Sequence, residues 1–218
     1  MIEPEKVWDE NLDFDLYTAE DWEKHGVEYI ISNVAIYPWN KLYRTDIIKD
    51  NGLKYEDVVG EDITFNFSYY DYAGRIKCIP DVFYNYNHMG QGESNKAWPQ
   101  FYNILKSKFE MFNKLAVKRG IGDKIKKVTE EMYPKVLYYF FSMNISKPNK
   151  SYKLKERKEH LKELYNSGRD DIILKEYLKN DKGWKGALKY NLYRFRMSTA
   201  MIVLNNINYQ LKSRGKNE

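Results

Sequence analysis

Cysteine occurs once in the 218 residues, at Cys78, which excludes an intrachain disulfide and a cysteine metal cage and points to a reducing compartment. Histidine is nearly as scarce. His25, His88 and His160 stand far apart, and none has a metal-ligand spacing, so a zinc site built from this chain alone is not expected. Long apolar runs are also missing, since a run such as Ala200 to Leu204 falls far short of the roughly 20 residues that span a bilayer. The first ten residues, MIEPEKVWDE, are acidic where a secretion signal is basic and then apolar. A cytoplasmic protein is the expectation. Gly90 and Gly92 form a lone pair without the preceding strand or following lysine of a phosphate-cradling loop, and no serine sits in a nucleophile elbow.

What is present is a globular composition, 43% hydrophobic and 31% charged, with length for one full domain plus an appendage or for two small domains. The charge is divided unevenly. Residues 1–90 hold 8 Lys+Arg against 18 Asp+Glu, a net of minus 10, whereas residues 91–218 hold 28 against 13, a net of plus 15. An acidic front and a basic back imply different partners, the basic part facing phosphate.

The front, about residues 1–95, reads as a partial α/β layer. Thr18 with Asp21 three residues on is a near capping box for a helix running to about Ser32, with Trp22, Val27, Ile30 and Ile31 as its apolar positions. After Pro38 a strand-like piece, WNKLYR, leads to a small helix capped by Thr45 and stopped by Gly52. The run GEDITFNFSYYDYAG fits a buried helix, and RIKCIPDVFYNYNH fits one or two short strands in which Cys78 is a small buried hydrophobe. From about Lys96 every segment looks helical: one helix to Gly120, one over about 123–146, LKERKEHLKELYNSG, RDDIILKEYLKN, and a last helix over about 185–213. An unpaired sheet edge invites association, so dimerisation or burial of that edge by the helices is expected.

Among groups able to carry chemistry, Glu61 and Asp62 stand out at the opening of a helix, where a first-turn acidic cap would also place carboxylates. Trp39, Asn40 and Lys41 after Pro38 mean, by themselves, an ordered turn with a buried indole. Their order says more. PWNKLYR, DNGLKY, GEDITFNF, PDVFYNYN and HMGQGES in succession, over roughly residues 30–95, resemble the acceptor-side half of family 2 glycosyltransferases of the GT-A type, bacterial enzymes that build capsule, lipopolysaccharide and teichoic-acid glycans.

That resemblance implies Asp62 as the general base on an acceptor hydroxyl, with Glu61, Trp39 and Asn40 holding the acceptor. His88 falls near the place from which such enzymes draw a metal or pyrophosphate contact. It also implies a nucleotide-sugar donor, a glycan or lipid-linked acceptor, and Mg or Mn on the donor diphosphate in the full-length enzyme, with none bound to this fragment. A carboxylate is ionised at neutral pH, as an inverting base must be. Family members begin with a nucleotide-binding half that ends in a metal-holding D-x-D, and no such segment precedes these residues, because Asp13-Phe14-Asp15 reads as acidic loop. The chain is therefore expected to be the back half of a transferase, inactive alone.

The segment 184–216 carries seven Lys+Arg and no acid among apolar Leu188, Leu192, Phe195 and Ala200 to Leu204. Either it packs on neighbouring helices with a solvated basic face, or it lies peripherally on the inner face of the cell membrane. The rival readings are a non-catalytic helical module for an anionic membrane or polymer and an assembly partner for a separate nucleotide-binding chain, but no nucleic-acid recognition signature appears, and no nucleic-acid partner is expected.

Overall fold

The computed structural model describes residues 12–56, 60–81, 83–84, 101–146, 153–181 and 183–214, and at 101, 146 and 208–214 the backbone alone. Ten helices and two short strands are present among these residues. In chain order they are β1 (Phe14–Leu16), α1 (Ala19–Ile31), α2 (Asn33–Ile36), α3 (Thr45–Asp50), α4 (Glu61–Tyr72), β2 (Ile76–Cys78), α5 (Phe101–Lys118), α6 (Gly122–Ser146), α7 (Leu154–Tyr165), α8 (Arg169–Lys179), α9 (Trp184–Arg194) and α10 (Ser198–Arg214). The protein is thus mostly helical, with a helical back as expected. The chain divides into two compact units, one from 1–87 with 106–129 and one from 88–105 with 130–218. No helix among the described residues is long and apolar enough to cross a membrane.

In the first unit the sheet is smaller than the mixed layer expected from the sequence. β1 and β2 pair antiparallel, Phe14 opposite Cys78, Asp15 opposite Lys77 and Leu16 opposite Ile76. Asp13-Phe14-Asp15, expected as loop, therefore enters a strand. The reason is an alternation across Leu12, Phe14 and Leu16, which turns Leu12 and Leu16 into the core and leaves Asp15 to Arg75, whose Nη2 donates to Oδ2 at 2.8 Å. WNKLYR is no strand: it forms a turn and an extended stretch whose Leu42 is fully exposed and unpaired by any ladder.

Helix α1 begins as its sequence dictates. Thr18 Oγ1 accepts from the Asp21 amide at 3.1 Å, and the Asp21 carboxylate accepts from the Thr18 amide at 2.8 Å, the reciprocal bonds of a capping box. Trp22, Gly26, Tyr29 and Ile30 form its buried face. In α3 the cap is Arg44, with Thr45 already helical, and the chain leaves through Gly52 at φ +59°. Helix α4 starts at Gly60, which holds φ +89° and has no side-chain cap, and it ends at Ala73, where Arg119 Nη2 donates to the Tyr70 and Ala73 carbonyls at 2.7 Å each.

A Cβ on Gly26 would meet Ile121 Cδ1 at 2.6 Å and the Trp22 ring at 2.9 Å. Helix propensity favours alanine there by up to about 1 kcal/mol, but overpacking a filled core costs about 1–3 kcal/mol. Overpacking wins. Gly26→Ala should lower stability by about 1–2 kcal/mol, read as a lower urea midpoint at unchanged slope.

The second unit departs from the sequence reading at its end. The single helix expected over 185–213 is two, α9 and α10, broken at Phe195–Met197. Arg196 takes φ +56°, the Met197 amide donates to Leu192 O at 2.9 Å and the Arg196 amide to Tyr193 O at 3.0 Å, the paired bonds of a Schellman stop. An arginine in the position usually given to glycine is unfavourable by about 1 kcal/mol. Asp171 on α8 offsets that cost. It accepts from Arg196 Nη1 at 2.6 Å, Arg196 Nη2 at 2.8 Å, Lys175 Nζ at 2.7 Å and the Tyr193 hydroxyl at 3.0 Å. The guanidinium also lies 4.1 Å from the Tyr165 ring centroid.

Candidate functional site

The WNKLYR segment is held against α4, the helix that opens with Glu61 and Asp62, through Tyr43 and Arg44. Positions 62, 66 and 69 are four and three residues apart and so share a helical face. That face receives the segment 36–44. Asn66, fully buried, donates its amide to the Ile36 carbonyl and accepts from the Tyr43 hydroxyl, while the Arg44 amide donates to the Tyr69 hydroxyl at 2.9 Å. Tyr70 adds a bond from its hydroxyl to Ala35 O at 2.8 Å. Two of these four bonds, at Tyr43 and Arg44, fasten PWNKLYR itself and two fasten Ala35 and Ile36 just before it to the helix whose first turn carries Glu61 and Asp62, although 20 or more residues separate the partners in sequence.

Asp62 is half-buried, and among the described residues no hydrogen bond engages its carboxylate or that of Glu61. Burial raises its pKa, the neighbouring Glu61 charge raises it further, and the Lys41 ammonium opposes both. The result is a carboxylate held above its ordinary range, with lone pairs free to take a proton. Lys41 is the cation facing it. Burial pushes the ammonium down to about 7, against the pull of Cys78 and Asp62, and its three donors go to the Val34 and Tyr37 carbonyls and, at 2.7 Å, to Asn40 Oδ1. Tyr43 and Tyr55 also feel the Asp62 charge, and burial is the main cause of their raised values.

Beside this pair lies an aromatic surface. Trp39 stacks on Tyr37 at 5.3 Å and 19° and on Tyr84 at 4.9 Å and 28°, and Tyr55 stacks on Phe65 at 4.1 Å and 11°. Trp39 remains 38% exposed, so the indole is not the buried turn residue expected from sequence alone. Stacked rings with accessible edges and faces offer apolar surface to the C–H face of a sugar. Asn40 is exposed, its side chain donating to Val34 O at 3.4 Å while accepting from Lys41. Cys78 is buried and free, and burial raises its thiol to about 11, as befits a small hydrophobe.

Sequence reasoning did not single out Lys41 as the partner of Asp62, nor Tyr37, Tyr55 and Tyr84 as its surroundings. The abundance of tyrosine was visible, but stacking across more than forty residues leaves no local pattern. His88, the alternating positions from Val82 and Asn85 to Asn87, the loop at 89–95 and Pro99 lie outside the described residues. Asp13 is exposed and Asp15 is ion-paired to Arg75. Among the described residues no group of three His, Cys, Asp or Glu could hold a metal ion. No family model, curated protein or solved structure matches this chain.

Proposed function

We propose that the first unit is the acceptor side of an inverting glycosyltransferase of the family 2, GT-A type, in which Asp62 is the general base. In the step proposed, the acceptor hydroxyl gives its proton to the Asp62 carboxylate as its oxygen bonds to the anomeric carbon. The bond from that carbon to the nucleoside diphosphate breaks, and the configuration inverts. The donor falls to a nucleotide-binding lobe outside these residues. One observation carries the reading: a half-buried carboxylate, raised in pKa and without a hydrogen-bond partner among the described residues, faces Lys41, which also donates to the carbonyl of Tyr37 in a solvent-facing stack of three aromatic rings. The order of the sequence motifs adds support, because the two that matter most are fastened to each other through Asn66.

The acceptor half of the reading has its own test. Binding of a panel of bacterial glycans, followed by tryptophan fluorescence and by saturation transfer to sugar protons, should detect a ligand for the full chain. Trp39→Ala should weaken it about tenfold, the scale of one lost aromatic contact. No glycan bound, or binding indifferent to Trp39, would remove the acceptor site from this surface.

A further inference from the structure

We infer that the second unit carries a docking surface for an anionic lipid bilayer on the outer face of α9 and around its break into α10. This inference does not depend on the reading of the first unit. On α9, Trp184, Leu188, Asn191 and the following Phe195 fall within an arc of about 60° at the usual 3.6 residues per turn. All four are exposed, Trp184 by 73% and Phe195 by 65%. The opposite face is committed to the interior through Gly186 and Tyr193, and a Cβ on Gly186 would meet the Asp181 carbonyl at 2.2 Å. The stripe is therefore fixed outward and cannot be rotated in.

Two cations flank it. Lys185 Nζ lies 5.6 Å from the Trp184 ring and the Arg194 guanidinium 5.5 Å from the Phe195 ring. Each pairs an apolar ring with a charge at its rim, the form of side chain that settles at a headgroup boundary. Lys189 and Arg196 are not counted, since they are engaged by Tyr138 and Asp171. Met197, Val203 and Ile207 continue the exposed apolar surface past the break, by 50%, 45% and 48%. No acid occurs between residues 184 and 216. An aromatic and cationic segment that contributes no carboxylate of its own complements a negatively charged leaflet. A second copy of this chain would bring the same positive charge to the contact, and a nucleic-acid partner would leave the apolar stripe unused.

Sedimentation of the full chain with vesicles decides the matter. Phosphatidylcholine vesicles containing phosphatidylglycerol should carry the protein down, and phosphatidylcholine alone should carry much less. Trp184→Glu with Phe195→Glu should abolish the effect, and Lys185→Gln with Arg194→Gln should weaken it roughly fivefold per cation, more so at low salt. All four positions are exposed, so unchanged thermal unfolding is expected of both variants. Protein left in the supernatant with both vesicles would overturn the inference. So would unchanged sedimentation of the Trp184/Phe195 variant, or conversion of a dimer to a monomer by that variant, which would make the stripe a contact between copies.

Discussion

Replacing Asp62 by asparagine should lower the rate of sugar transfer by about 10²–10⁴-fold, the usual worth of a positioned general base. The amide keeps the shape of the side chain but cannot take a proton, so glycan affinity should stay within about twofold of wild type while transfer falls. The measurement is sugar passed to an acceptor from a panel of nucleotide sugars, with the chain joined to a nucleotide-binding lobe. Equal rates for the two proteins would end the assignment. The pH dependence carries a second signature. Asp62 works as its carboxylate, so the rate falls as pH drops through its pKa, and burial and Glu61 place that fall above the ordinary carboxylate range. Glu61→Gln removes a like charge and should move the acid limb to lower pH. Lys41→Met removes the opposing cation and should move it higher.

Asp171→Ala should cost about 1–3 kcal/mol of stability, because truncation leaves the fully buried Tyr193 hydroxyl without its acceptor. Arg196 and Lys175 retain 37% and 34% side-chain exposure and can recover water, so their share of the loss is modest. Urea unfolding of the whole chain measures the loss. Acid titration tests the same group by another route. Burial alone would raise the Asp171 pKa, but the donors on Arg196, Lys175 and Tyr193 outweigh it and hold the group at about 2. A carboxyl depressed on folding contributes stability that is complete above its unfolded value near 4 and is lost as pH falls toward 2. Asp171→Asn should flatten the stability profile across that window, and a profile as steep as wild type would show that the network contributes little.

The parts of the fold legible in sequence were those with local causes. Thr18 and Asp21 name the start of α1 because the capping box needs only residues three apart, and the GEDITFNF run names α4 because its burial follows a helical period. LDFDL illustrates a local signal outweighed by its surroundings: its alternation is that of a strand, yet three paired residues between acidic flanks read as loop. The break at Arg196 had no local sign at all. Neither glycine nor proline marks it, and the stop depends on a carboxylate 25 residues earlier. Asp62 could be chosen from its motif, whereas its environment could not, since Lys41, Tyr43 and Tyr55 reach it only after Asn66 and Tyr69 have fastened 36–44 to α4.

The ladder between β1 and β2 has a kinetic consequence. It joins residues about sixty apart, so everything from Tyr17 to Arg75, Trp39, Lys41 and Asp62 included, is a single long loop closed by a few backbone bonds. Closing such a loop carries an entropic cost that must be met before the contacts it creates can reward it, which places the ladder late in folding. The helices of that loop can form early, but the surface they frame acquires its final shape only when the clasp shuts. A nascent chain would hold the residues of the site well before it held the site.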